Sequence, residues 1–179
     1  MESLKIHDKK FSESIHSKKI QGTVGKIAAQ LNHDLKDKEV VFIGVLNGAF
    51  MFASDLMKQI QLNCRISFIK VSSYAGISST GSVINLIGLN EVIKGKTVVI
   101  IEDIIDSGKT LNFILSALKE HEPTEIKIVT LLFKPAAFKF NYKPDYVGYR
   151  IPNQFVVGYG LDYAGFGRNL TSIYTLVNE

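Results

Sequence analysis

The stretch Val98-Val99-Ile100-Ile101-Glu102-Asp103-Ile104-Ile105-Asp106-Ser107-Gly108-Lys109-Thr110 joins three features in thirteen residues. Lys96 to Ile101, apolar from Val98 on, reads as a strand buried on both faces. It ends on two adjacent carboxylates. A short turn then opens onto Leu111, Ile114, Leu115 and Leu118, whose i, i+3, i+4, i+7 spacing predicts a helix ending near Glu122-Pro123. Backbone N–H groups at such a helix start, helped by the hydroxyls of Ser107 and Thr110, make an anion site, and Gly108 permits close backbone approach. Glu102 and Asp103 are odd company for a bare phosphate. They suit a ligand that also carries sugar hydroxyls or a divalent cation.

Two other readings compete. Gly108-Lys109-Thr110 ends like a nucleotide-binding P-loop, but that pattern needs a glycine where this chain has Asp103, and a glycine-rich rather than acidic approach. Asp106 or Ser107 as a plain helix cap accounts for the turn. It leaves the carboxylates at the end of an apolar strand unexplained.

Outward from this segment, Ile20, Val24, Ile27, Ala28 and Leu31 predict an amphipathic helix over roughly 12–34. Val40 to Leu46 is a second buried strand, and Ala49, Ala53, Leu56, Met57 and Ile60 return to helical spacing. Cys64 to Ser73 reads as a strand, the polar run Ser72 to Ser82 as a loop, and Val83 to Leu89 and Ile126 to Phe133 as strands. Short segments follow at Tyr146–Tyr149, Phe155–Val157 and Ser172–Val177. Strands alternating with helices through residue 133 define an α/β fold with a mostly parallel sheet flanked by helices. Ligands in such sheets sit beyond the carboxyl ends of the strands. That directs attention to Leu46-Asn47-Gly48, Ser73-Tyr74, Glu102 to Thr110, Lys134 and Val156 to Asp162.

Length and composition set bounds. At 179 residues the chain fits a single domain, and 46% hydrophobic with 21% charged residues excludes disorder as a description of the whole. The only cysteine, Cys64, excludes an intrachain disulfide framework and a Cys-rich zinc site, and His7, His16, His33 and His121 are scattered. A net charge of +4 suits anionic ligands and is too small to argue for nucleic acid. Val40 to Ala53, the most apolar stretch, is shorter than the ~20 residues a bilayer requires. The N-terminal residues lack the apolar segment of a secretory signal. The expectation is a cytoplasmic protein with no membrane and no nucleic-acid partner.

VVIIEDIIDSGKT resembles the phosphoribosyl-pyrophosphate signature of type I phosphoribosyltransferases, and its spelling is similar to that of the hypoxanthine-guanine branch. Four further segments resemble that branch in the same order. Ser73-Tyr74 with Ser79-Thr80-Gly81 resembles its flexible catalytic loop, and Leu131 to Lys134 its purine-contacting strand. Lys143 to Gly148 and Phe155 to Tyr163 resemble its C-terminal hood. The resemblance implies a single Rossmann-like phosphoribosyltransferase domain over residues 1–179. Its core would lie at about 35–140, with a small hood from the N-terminal segment and about 141–179.

It also implies the partners: phosphoribosyl pyrophosphate with hypoxanthine or guanine, giving IMP or GMP and pyrophosphate, with Mg²⁺, in a homodimer or homotetramer. Glu102 and Asp103 would hold the ribose hydroxyls directly or through Mg²⁺, and residues Asp106, Ser107, Gly108, Lys109 and Thr110 would cradle the 5′-phosphate. Asp106 would be the general acid/base, Lys134 the donor to the purine 6-oxo group, Phe155 its stacking platform and Val156 the reader of its edge. Asp162, counted with the purine-binding residues, would also bind a second Mg²⁺ on the pyrophosphate side, and Arg168 would contact pyrophosphate. Leu46-Asn47-Gly48 would be the pyrophosphate loop, where relatives often carry Lys or Arg in the middle; Asn47 departs from that.

Overall fold

The computed structural model describes residues 3–75 and 82–177, with side chains outside 72–87. Its elements are β1 (Ser3–Ile6), β2 (Lys9–Ile15), α1 (Ser17–Asp34), β3 (Val40–Leu46), α2 (Phe50–Met57), β4 (Cys64–Ala75), β5 (Ser82–Ile87), β6 (Thr97–Ile105), α3 (Lys109–Lys119), β7 (Glu125–Phe133), β8 (Tyr146–Arg150), β9 (Val156–Val157) and β10 (Ile173–Leu176). They form a six-stranded sheet in the order β5-β4-β3-β6-β7-β8 and a four-stranded sheet in the order β1-β2-β10-β9. Strands β4, β3, β6, β7 and β8 are parallel, and β5 is an antiparallel edge.

The middle of the large sheet is sandwiched, which is why β3, β6 and the C-terminal part of β7 are buried on both faces. Val40 and Phe42 of β3 pack against Ile20, Val24 and Leu31 of α1 and Phe52 and Leu56 of α2. Their neighbours Val41, Ile43 and Val45 pack against Leu111, Ile114 and Leu118 of α3. Each such large aliphatic or aromatic side chain contributes roughly 1.5–3 kcal/mol on burial. The four-stranded hood closes over its own small core of Ile6, Phe11, Val157 and Tyr174. Since β8 joins the large sheet and β9 and β10 the small one, the chain after residue 141 serves both. Among the described residues no helix is long and apolar enough to cross a membrane.

Three boundaries differ from the sequence reading. The helix predicted from residue 12 begins at Ser17, because β2 continues to Ile15 between β1 and β10. His16 ends that strand and caps α1, its Nδ1 accepting from the Lys18 amide at 3.2 Å. The polar run assigned to a loop from Ser72 is strand to Ala75, which pairs with Ser82 of β5. And β6 does not stop at Ile101. It pairs with β7 through Glu102↔Thr130 and Ile105↔Phe133, so both carboxylates are strand residues.

Candidate active site

Glu102 and Asp103 sit at the carboxyl end of β6, 6% and 9% exposed. No hydrogen bond or ion pair from the described residues reaches the Glu102 carboxylate. Burial raises its pKa well above the usual carboxylate range, and the neighbouring Asp103 adds to the rise. Burial also pushes Asp103 up, to about 6. The amides of Ile104 and of Asp103 itself, and the Arg168 charge, pull it down, and Asp162 pushes it up again. The Ile104 amide donates to Asp103 Oδ1 at 2.9 Å.

The loop after β3 lies directly on Asp103. The Leu46–Asn47 peptide bond is cis. A Cβ on Gly48 would fall 1.6 Å from Asp103 Oδ2, so only glycine fits beneath that side chain. The hood covers the other side of the loop: a Cβ on Gly160 would fall 2.0 Å from the Gly48 carbonyl oxygen. Arg168 donates through Nη1 to the Gly160 carbonyl at 2.7 Å and pairs through Nη2 with Asp162 Oδ1 at 2.6 Å. Asp162 Oδ2 accepts from the Gly165 amide at 2.7 Å.

Asp106 to Thr110 form the turn into α3. Gly108 is the N-cap residue, at φ 80°, and no side chain caps the helix. Neither Asp106 nor Ser107 is therefore spent on capping, and the first amides of α3 stay open. Glu102 and residues 104–111 line a cavity of about 100 Å³ at this point. Gly108 is pinned from behind, since a Cβ there would lie 2.4 Å from the Phe138 ring. Asp106, freed from capping, is exposed and accepts from Lys134 Nζ at 2.8 Å. Lys134 follows β7 and is 6% exposed, its amide bonded to the Ile105 carbonyl at 2.9 Å. A buried ammonium next to a solvent-facing carboxylate is a donor and an acceptor held side by side.

Phe155, immediately before β9, leaves its ring exposed. Tyr163 meets that ring edge-on at 5.9 Å between centroids, and Lys9 Nζ lies 5.7 Å from its centre. Val156 beside it is buried and paired with Thr175 of β10. The backbones of Ser73 and Tyr74 run in β4, at the same carboxyl end as Leu46, while Ser79-Thr80-Gly81 lies outside the described residues.

The fold thus brings the Leu46–Gly48 loop, Asp103, Asp162 and Arg168 into one contact chain, Asp106 and Lys134 into another, and Glu102 into the cavity at the start of α3. Sequence reading missed Lys9 and Tyr159. Lys9 belongs to a hairpin with no distinguishing composition, and Tyr159 lay inside a segment taken as hood. Among the described residues no group of three or more His, Cys, Asp or Glu side chains is poised to hold a metal. The chemistry of Glu102 and Asp103, two buried carboxylates without a full complement of donors, still fits a cation that draws its remaining ligands from a substrate.

Residues 12–164 match the family described as "Phosphoribosyl transferase domain". The chain is 45% identical over 161 residues to the hypoxanthine-guanine phosphoribosyltransferase of Staphylococcus aureus strain Mu50, covering 89% of this chain and 90% of that protein. The crystal structure of a Bacillus anthracis hypoxanthine-guanine phosphoribosyltransferase with HEPES in its active site superposes with a TM-score of 0.85 at 39% identity, covering 93% of this chain and 98% of that one. A Trypanosoma cruzi hypoxanthine phosphoribosyltransferase variant in a ternary substrate complex does so with a TM-score of 0.84 at 33% identity, covering 92% and 94%. The chain belongs to the type I phosphoribosyltransferase family. Within it the chain stands on the hypoxanthine-guanine branch, and its activity is that branch's purine salvage.

Proposed function

We propose that this enzyme joins hypoxanthine or guanine to phosphoribosyl pyrophosphate at the site centred on Glu102, Asp103, Asp106 and Lys134, releasing IMP or GMP and pyrophosphate. The observation that carries the residue assignment is the pair of buried carboxylates between an open helix start and the Gly48–Gly160–Arg168 stack. A ligand with a phosphate at one end, ribose hydroxyls in the middle and pyrophosphate at the other matches that order of groups.

Breaking the bond from ribose C1 to pyrophosphate leaves positive charge on the sugar and negative charge on the leaving group. The α3 amides and the Ser107 and Thr110 hydroxyls receive the 5′-phosphate. Glu102 and Asp103 accept from the ribose hydroxyls and would hold Mg²⁺, with Asp162 at the pyrophosphate side. When bound, the cation supplies neutralisation of the pyrophosphate charge. Arg168 faces the departing pyrophosphate, and the Leu46–Gly48 loop offers it backbone N–H groups in place of the cation that Asn47 lacks.

At the base, Lys134 Nζ donates to the 6-oxo oxygen. Adenine carries a donor there and is disfavoured. Asp106 takes the proton from the purine imidazole nitrogen as that nitrogen bonds to C1, a role worth about 10²–10⁴-fold in rate. Phe155 stacks on the ring and the Val156 backbone reads its edge.

The test is pyrophosphate release from phosphoribosyl pyrophosphate with Mg²⁺ and one base at a time: hypoxanthine, guanine, xanthine, adenine or uracil. Turnover with hypoxanthine or guanine and none with adenine is expected. Equal use of adenine would remove the Lys134 role, and silence with every base would overturn the reading.

A further inference from the structure

Tyr159 is a buried aromatic residue that the reaction as proposed does not use. It is 2% exposed, and its hydroxyl donates to Asp55 Oδ2 at 2.7 Å. Asp55 belongs to α2, which grows directly out of the Leu46–Gly48 loop. The Ala49 amide bonds to the Val45 carbonyl at 3.2 Å and the Phe50 amide to the Asn47 carbonyl at 3.4 Å, so loop and helix are one piece. Gln21 of α1 and Lys58 also bond the Asp55 carboxylate, at 2.6 and 2.9 Å, which makes it a fixed anchor.

The hood loop is laid from that anchor. The Tyr159 amide bonds to the Leu170 carbonyl at 2.7 Å and the Gly160 amide to the Arg168 carbonyl at 2.9 Å, while Arg168 Nη1 returns to the Gly160 carbonyl at 2.7 Å. Gly160 rests on Gly48 and Gly48 on Asp103. One hydroxyl therefore ties the stack Arg168–Gly160–Gly48–Asp103 to the helix that continues from Gly48. The base platform is held by other means. Phe155 is braced by Phe11, Tyr163 and Lys9, and its carbonyl accepts from the Leu176 amide at 2.9 Å.

We propose that Tyr159 is a positioning residue for the pyrophosphate end of the site: through Asp55 it locks the hood loop onto the Leu46–Gly48 loop, and so tightens phosphoribosyl pyrophosphate and pyrophosphate without touching the base. This rests on the functional reading above. Tyr159→Phe keeps the buried ring and removes only the hydroxyl. A hydrogen bond to a charged group is worth enough that about tenfold weaker binding of phosphoribosyl pyrophosphate and of inorganic pyrophosphate is expected by calorimetry with Mg²⁺. The KM for hypoxanthine should stay within about twofold, since the platform contacts remain intact.

Asp55→Asn retains an oxygen that can accept from Tyr159 and should bind phosphoribosyl pyrophosphate nearly as the unmodified enzyme does. Asp55→Ala should match Tyr159→Phe, and the double variant Asp55→Ala, Tyr159→Phe should be little worse than either. Equal weakening toward both substrates, or a lowered Tm with pyrophosphate binding unchanged, would overturn the proposal. If Tyr159→Phe fails to fold, the contrast between Asp55→Asn and Asp55→Ala decides in its place. The calorimetry needs no turnover, so an unmodified enzyme that binds phosphoribosyl pyrophosphate yet transfers it to no base would refute the functional reading and leave this one standing.

Discussion

Asp103→Asn should make the ligand-free protein more stable than the unmodified chain at neutral pH, with the advantage fading in acid. In the unfolded chain Asp103 titrates near its ordinary 3.8; in the fold it titrates at about 6. Between those values the native state keeps a proton that the unfolded chain has given up. Stability from this group is full below about pH 4 and lost as pH rises through about 6. At about 1.36 kcal/mol per pKa unit, the gap of roughly two units corresponds to about 3 kcal/mol. Glu102, raised by burial and by Asp103, slopes the same way.

Glu125, held low by its hydrogen bond from Lys38, slopes the opposite way, as does Glu39 beside Lys96. The reading is therefore the difference between the two proteins, not either curve alone. Urea unfolding in a chelator-containing buffer from pH 3.5 to 7.5 provides it. The difference should grow in favour of Asp103→Asn across the window from 4 to about 6.5. Parallel curves would refute the claim that desolvation governs this carboxylate.

Asp106→Asn should lower kcat about 10²–10⁴-fold with much smaller changes in either KM, measured by initial rates; an unchanged kcat would end the acid/base role. Lys134→Gln replaces a pure donor with a group that both donates and accepts, so the hypoxanthine-over-adenine preference in kcat/KM should fall by about tenfold or more. Gly108→Ala would place a methyl 2.4 Å from the Phe138 ring at a φ of +80°. A loss of about 1–3 kcal/mol in urea unfolding is expected, together with weaker binding of the 5′-phosphate end of a nucleotide.

What could be read from the sequence and what could not divides along physical lines. β3, β6 and β7 were legible because a parallel strand covered on both faces must be apolar throughout. Residues 102–110 were legible because strand end, loop and helix start are contiguous. β2 was not: its partner Phe11↔Leu176 lies at the far end of the chain, and helical spacing further on drew the predicted helix across it. The ion pair from Lys134 to Asp106 spans 28 residues, and the stacking of Gly160 on Gly48 spans far more. Such meetings are properties of the assembled sheet, with no local pattern to announce them. The capping alternative for Asp106 and Ser107 failed because Gly108 adopts the left-handed conformation and takes the N-cap position itself.

The place of β10 has a consequence for how the enzyme is made. It lies between β2 and β9 in the hood, yet follows every other strand among the described residues. A ribosome that has released residues through Arg150 has supplied all six strands of the large sheet, including Glu102, Asp103, Asp106 and Lys134. The seat for the base waits until residues 173–176 emerge and join β2, made before any strand of the large sheet. A message cut short before Ile173 would give a chain with the sugar-phosphate end built, β2 left with a bare edge, and Phe155 without the Leu176 amide that fastens it. Such a fragment exposes an open strand to its neighbours during synthesis, so its fate is aggregation or degradation, and half an active site does not persist.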